Sequence, residues 1–191
     1  EINPGVVEIG EKFFGLDKST FNLHLEDGRY FLNASKEEYD VVILDAFLGD
    51  SSPSHLMSRE CFESMSQRME NDAVLVINAF GHFSEGEDFF MASLDKTLRA
   101  VFKSVHIHDG TRGNVFFVAS KKEGLEPHRS MDMSEVHPKL IPFVETAWKN
   151  TIDANPESGI ILTDNYNPVE YYDSKIREEI RLNFALNMRG K

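Results

Sequence analysis

Three acidic side chains stand where β-strands should end: Glu1 in EIN, Asp27 in LHLEDG and Asp45 in YDVVILDAF. In an open α/β sheet, a side chain at the carboxyl end of a strand points into the crevice where ligands bind. A carboxylate there can accept hydrogen bonds from ribose hydroxyls or an adenine amino group, or it can act as a base beside an electrophile. One such acid means little, because polar residues often end strands. Three in consecutive units within the first 45 residues suggest a nucleoside-type ligand with chemistry beside it. Each also has an ordinary use: Asp27 before Gly28 is a common turn pairing, and Asp45 can cap the turn that follows it. The stretch Gly49-Asp50-Ser51-Ser52-Pro53 after Asp45 is long and polar, which fits a gate better than a tight connection.

Other chemistry-bearing residues give weaker signals. Ser51 and Ser52 lack the strand–turn–helix elbow of a hydrolase nucleophile. His106 and His108 alternate in a strand and share a face, but the seven histidines show no metal-ligand spacing, and no metal is expected. The single cysteine, Cys61, excludes an internal disulfide and sits in a helical pattern with Phe62 and Met65 as a core or half-buried thiol. A net charge of −12 argues against a nucleic-acid partner and tilts weakly towards a cationic substrate.

These residues need strands and helices to position them. Apolar spacing predicts a helix from Val6 to Phe14, entered through Asn3-Pro4 and stopped at Gly15. Phe21–Leu25 alternates as a strand, and a short helix follows over 29–35. Val41-Val42-Ile43-Leu44 is the continuous apolar run expected of a parallel strand buried on both faces. Helices are expected over 58–69, 87–102, 134–149 and 173–188, and a strand over 73–78. Strands at 104–108 and 114–119 around Gly110 and Gly113 make an antiparallel hairpin. The alternation gives an α/β domain over 1–191, a mostly parallel sheet with helices on both faces, and a helical extension over 121–191. No apolar run reaches the length of a membrane span. The chain opens at the tail of a strand without the glycine-rich turn of a nucleotide site, and so reads as a piece of a longer protein.

EINPGVVEIGEKFFG, the EDGRYF turn, YDVVILDAF and the VLVIN and NVFFVAS strands together resemble the polyamine aminopropyltransferases, the spermidine/spermine synthase family. The tail ILTDNYNPVEYY resembles a bacterial, spermidine-synthase-like branch, some of whose members carry an N-terminal membrane domain. The resemblance implies a Rossmann-like fold of the S-adenosylmethionine-methyltransferase type with a C-terminal β-hairpin. It implies aminopropyl transfer from decarboxylated S-adenosylmethionine, a co-substrate rather than a permanently bound cofactor, to a polyamine. By position it gives Glu1 to the ribose hydroxyls, Asp27 and Gly28 to the adenine edge, and Asp45 to the amine and its deprotonation. Asp50 becomes a second cation contact, and Asp164 and Tyr166 line the substrate pocket. The implied protein is cytoplasmic, or a cytoplasmic domain of a membrane-anchored parent, and homo-oligomeric. The family's first strand lies mid-sheet, so its absence here predicts two unpaired strand edges and a chain that by itself is unstable or self-associates.

The sequence also departs from the family pattern. Asn3 stands where an aspartate is usual, and Asp50 follows Asp45 by five residues where the family spaces its second aspartate by three. Two other readings therefore stay open: a methyltransferase using S-adenosylmethionine itself, and a non-catalytic domain that kept the fold and lost the site.

Overall fold

A computed structural model describes residues 1–47, 51–84, 86–110, 113–126 and 131–189, with burial left undescribed at 179–180, 183–184 and 187–189. The chain divides into two compact units, Glu1–Glu37 and Glu38–Lys191.

The first unit holds two α-helices and a single 3-10 turn over Lys18–Thr20. Helix α1 (Pro4–Phe14) begins where proline's fixed φ suits the first turn; the Asn3 side chain caps it, and Gly15 ends it in the left-handed conformation at φ 69°. Helix α2 (Gly28–Ala34) is capped by the Asp27 side chain. The strand expected over 22–25 does not form: these residues join no ladder. A strand exists only through its partners, and this unit of 37 residues offers none. The amino nitrogen of Glu1 nonetheless donates to the carbonyl of His24 at 3.2 Å, so the two segments lie side by side.

The second unit is a four-stranded sheet flanked by helices. Strand β1 (Tyr39–Leu44) pairs parallel with β2 (Met69–Phe80), β2 pairs antiparallel with β4 (Asn114–Ser120), and β4 pairs antiparallel with β3 (Ser104–Asp109). The order is β1-β2-β4-β3. Strands β1, β2 and β3 run the same way, but β4 is inserted between β2 and β3 against them. Only one of the three pairings is therefore parallel, which corrects the expectation of a mostly parallel sheet. The hairpin is the reason: β3 turns back on itself, and its returning strand takes the place beside β2.

Strand β2 starts four residues earlier than expected. Tyr39 pairs with Met69 and Val41 with Val74, so a bulge on β2 absorbs the turn read at Asn71-Asp72. Strand β1 is an edge strand, with Val41 and Ile43 exposed, so it is not buried on both faces as its composition suggested. An apolar run alone cannot tell an edge strand from a central one.

One face of the sheet carries the core. Ala73, Leu75, Ile77 and Ala79 of β2 alternate inward with Val115, Phe117 and Ala119 of β4. Helix α3 (Arg59–Gln67) contributes the buried Cys61, Phe62 and Met65, and α4 (Phe89–Arg99) contributes Phe90, Met91, Leu94 and Leu98. On the other face, helix α5 (Ile141–Lys149) packs on β3, where Trp148 stacks on His108 at 5.7 Å between ring centroids. Helix α5 is shorter than the 134–149 expected, since Pro142 fixes its first turn. Helix α6 (Val169–Arg189) closes the chain.

Candidate active site

In the first unit, the acids singled out from sequence are engaged locally. Glu1 Oε1 accepts from the Asn3 amide at 2.8 Å, and Asn3 Oδ1 accepts from the Gly5 amide at 2.9 Å. Asp27 Oδ1 accepts from the Tyr30 amide at 2.9 Å, the geometry of a helix cap. Gly28 begins that helix, and a methyl group added there would meet nothing within 4 Å. The fold therefore places no steric demand for glycine at position 28. A groove in this unit is lined by Phe21, Leu23, His24, Glu26, Phe31 and Ala34, with the His24 and Phe31 rings 4.4 Å apart.

In the second unit, β1 delivers Asp45 at its carboxyl end, exposed to solvent. The neighbouring parallel strand supplies a partner that the sequence reading did not pick out: Asn78 Nδ2 donates to Asp45 Oδ1 at 3.1 Å. The register explains the meeting, because Leu44 pairs with Ile77 and the next residue on each strand is therefore Asp45 and Asn78. An amide donating to one oxygen fixes the carboxylate's orientation without neutralising its charge. The motif VLVIN contained this residue, but only strand pairing reveals its partner.

The chain after Asp45 is tied to the C-terminal segment. Ser52 is fully buried and its amide donates to Asp173, also fully buried. Ser54 Oγ donates to Glu170 Oε1 at 2.7 Å, and Asn167 Nδ2 donates to the Ser54 carbonyl at 2.7 Å. The Arg177 guanidinium carbon lies 4.3 Å from the Phe47 ring centroid and 4.5 Å from that of Phe80. Arg177 Nε pairs with Asp173 Oδ1 at 3.1 Å.

Asp50 lies outside the described residues. Asp164 Oδ1 accepts from Ser58 Oγ at 2.6 Å, and Ser58 in turn caps α3 by accepting from the Cys61 amide at 3.2 Å. Tyr166 exchanges two backbone hydrogen bonds of 3.1 Å with Thr163, and its ring is exposed. Asp164 and Tyr166 thus belong to a turn fastened at the start of α3, whereas Asp45 is held by β2. Glu1, Asp27 and Gly28 lie in the other compact unit. Among the described residues, no group of three histidine, cysteine, aspartate or glutamate side chains could hold a metal ion. No described helix is long and apolar enough to cross a membrane.

In open α/β sheets ligands bind in the crevice outside the carboxyl ends of the strands, which is where Asp45 stands. Residues 1–109 match the family model described as the spermine/spermidine synthase domain, more than half of the chain, and the chain belongs to that family. It is 28% identical over 180 residues to a polyamine aminopropyltransferase of Vibrio vulnificus, covering 88% of this chain and 58% of the relative. The chain thus spans a little under three fifths of that protein's length.

Two solved structures share the fold. A spermidine synthase in complex with the transition-state analogue AdoDATO superposes with a TM-score of 0.53 at 18% identity, covering 77% of this chain and 56% of that one. Human methyltransferase-like protein 13 in complex with SAH gives a TM-score of 0.53 at 18% identity, covering 78% of this chain and 68% of that one. The fold is accordingly the Rossmann-like, methyltransferase-type α/β fold that the resemblance implied.

Proposed function

We propose that this chain is part of an aminopropyltransferase that moves an aminopropyl group from decarboxylated S-adenosylmethionine to a polyamine. The observation that carries this reading is Asp45, an exposed carboxylate at the end of β1 oriented by Asn78, within the segment that matches the family. A primary amine is protonated at neutral pH and cannot attack carbon until it loses a proton. Asp45 binds the ammonium and takes that proton. The freed nitrogen lone pair attacks the aminopropyl carbon attached to sulfur, and the C–S bond breaks. Its electron pair returns to the sulfonium, which leaves as the neutral thioether methylthioadenosine. The leaving group is already good, so in-line positioning supplies much of the remaining rate.

In this proposal Asp50 is a second contact for the cationic acceptor, with Asp164 and Tyr166 at the outer part of its site. Glu1 takes the ribose hydroxyls, while Asp27 and Gly28 meet the adenine edge. The net charge of −12 favours a polycationic acceptor.

The likeness to a methyltransferase structure supports a second reading in which the donor is S-adenosylmethionine and the transferred group is methyl. Incubating the full-length protein with each sulfonium and a panel of polyamines distinguishes the two. Release of methylthioadenosine with an aminopropylated product supports the first. Release of S-adenosylhomocysteine supports the second. Failure of either sulfonium or of methylthioadenosine to bind at millimolar concentration would favour a non-catalytic domain.

A further inference from the structure

We propose that Arg177 is a positioning residue for Asp45, a clamp reaching from α6 across the ends of β1 and β2; this rests on the reading of Asp45 as the amine contact. Phe47 lies two residues beyond Asp45, and Phe80 lies two residues beyond Asn78 on the same face of β2. The two rings are 5.8 Å apart and tilted by 59°. The Arg177 guanidinium lies over both, at 4.3 and 4.5 Å. The strand ends that carry the Asp45–Asn78 hydrogen bond are therefore tied together a second time, one step further along, by a single side chain.

The same helix also holds the chain at Ser52. Asp173 stands one turn before Arg177, pairs with its Nε, and accepts the amide of Ser52. Phe47 and Ser52 flank positions 48–51, so one face of α6 grips the chain on both sides of the segment that follows Asp45. Asp173 is fully buried, and the Arg177 side chain is 15% exposed. A buried pair of this kind is weak evidence for stability, because apolar side chains of similar volume serve a core as well or better. Among the described residues, Arg177 Nη2, Ser52 Oγ and Asn78 Oδ1 also have no hydrogen-bond partner. Native interiors leave few polar atoms so placed, and these three, on residues that touch Asp45 or the Arg177–Asp173 pair, point to residues that serve position rather than packing.

Arginine is needed for this geometry. A planar guanidinium can stack on two rings and still pair through Nε, whereas a lysine ammonium can satisfy the carboxylate or the rings but not both in that arrangement. Without the clamp, Phe47 is released and Asp45 loses its fixed distance from an incoming amine. Nucleoside contacts, which the proposal assigns to Glu1 and Asp27, are unaffected.

The test uses the full-length protein, its Arg177→Lys variant and its Phe47→Leu variant. Phe47→Leu removes one ring without leaving a buried charge unpaired, so it reports on the clamp even where Arg177→Lys folds poorly. In hydrogen exchange, amides 46–52 are expected to exchange at least tenfold faster in both variants, while β2 stays within twofold of the unmodified protein. With decarboxylated S-adenosylmethionine and a polyamine, the KM for the amine should rise at least tenfold and the KM for the nucleoside should stay within threefold. Unchanged exchange at 46–52 in both variants overturns the clamp. Faster exchange with an unmoved amine KM overturns its positioning role and leaves a structural tie. If the unmodified protein turns over no donor, the functional reading fails on its own, and the exchange comparison still decides whether the clamp exists.

Discussion

Replacing Asp45 with asparagine tests the proposed chemistry with little structural disturbance. The Asn78 amide donates to Asp45 Oδ1 at 3.1 Å, and an asparagine at 45 keeps a carbonyl oxygen able to accept that bond. The exposed position also means that no buried cavity or unpaired charge is created. What is lost is the negative charge and its capacity to take a proton. General-base assistance is worth about 10²- to 10⁴-fold, which corresponds to about 2.7–5.5 kcal/mol of barrier. The ion contact with the amine, made at an exposed carboxylate, contributes only ~0–1 kcal/mol. The rate effect should therefore dominate the binding effect.

Methylthioadenosine release at saturating donor and amine reads the rate term directly, and calorimetry with methylthioadenosine should show nucleoside affinity within threefold of the unmodified protein. Asn78→Ala provides the scale. It removes one neutral hydrogen bond, worth ~0.5–1.5 kcal/mol, and should slow turnover by about 2- to 12-fold. A rate for Asp45→Asn within threefold of the unmodified protein, or a larger effect from Asn78→Ala than from Asp45→Asn, would refute the assignment of Asp45 as base.

Three further outcomes are expected. Ser58→Ala removes the cap of α3 and the hydrogen bond to Asp164 together, a loss of about 2 kcal/mol that should lower Tm by roughly 4–8 °C in calorimetry. Gly159→Ala forces a side chain onto a backbone at φ 73° and sets its Cβ 2.4 Å from the Ser93 amide nitrogen; urea unfolding should show a loss of at least ~2 kcal/mol. The Ser19 hydroxyl and amide both donate to Asp17 and hold its carboxyl below the ordinary 3.8. That contribution is fully present above the unfolded value and is lost as pH falls through the lowered one, so Ser19→Ala should raise the Asp17 midpoint in an NMR titration.

Local chemistry made much of this fold readable. Asn3-Pro4 and Gly15 bounded α1, a short helix was legible after Asp27-Gly28, and the turn around Gly110 and Gly113 marked β3 and β4 as a hairpin. Failures came where the answer depended on a partner. FNLHL has a strand's alternation but no neighbour in its own unit, and VVIL has a buried strand's composition but lies at an edge. The strand direction was equally hidden, because whether β4 sits outside β3 or between β2 and β3 is a choice among packings of the same hairpin. At the candidate site, Asp45 was legible from its place after an apolar run. Asn78, Asp173 and Arg177 were not, since the first becomes relevant only through register and the other two through contacts more than 90 residues distant in sequence.

The structure also redistributes the weight among the three acids that first suggested a ligand. A scaffold has little use for several unpaired carboxylates facing one crevice, since they repel one another. Glu1 and Asp27, however, have local employment: one receives the Asn3 amide and the other caps α2. An inert domain would keep both for those reasons alone, so they do not discriminate an enzyme from a relic. Asp45 is different. Its hydrogen bond comes from a side chain on another strand, not from the backbone of its own turn, and it serves no helix cap among the described residues. Strand ends do not need such a pair to terminate. Helix α6 then holds the chain at Phe47 through Arg177 and at Ser52 through Asp173, with buried polar atoms left without partners among the described residues. A domain released from catalysis would be expected to relax these features first. Their presence together makes Asp45, rather than the set of three acids, the residue on which the transferase reading depends.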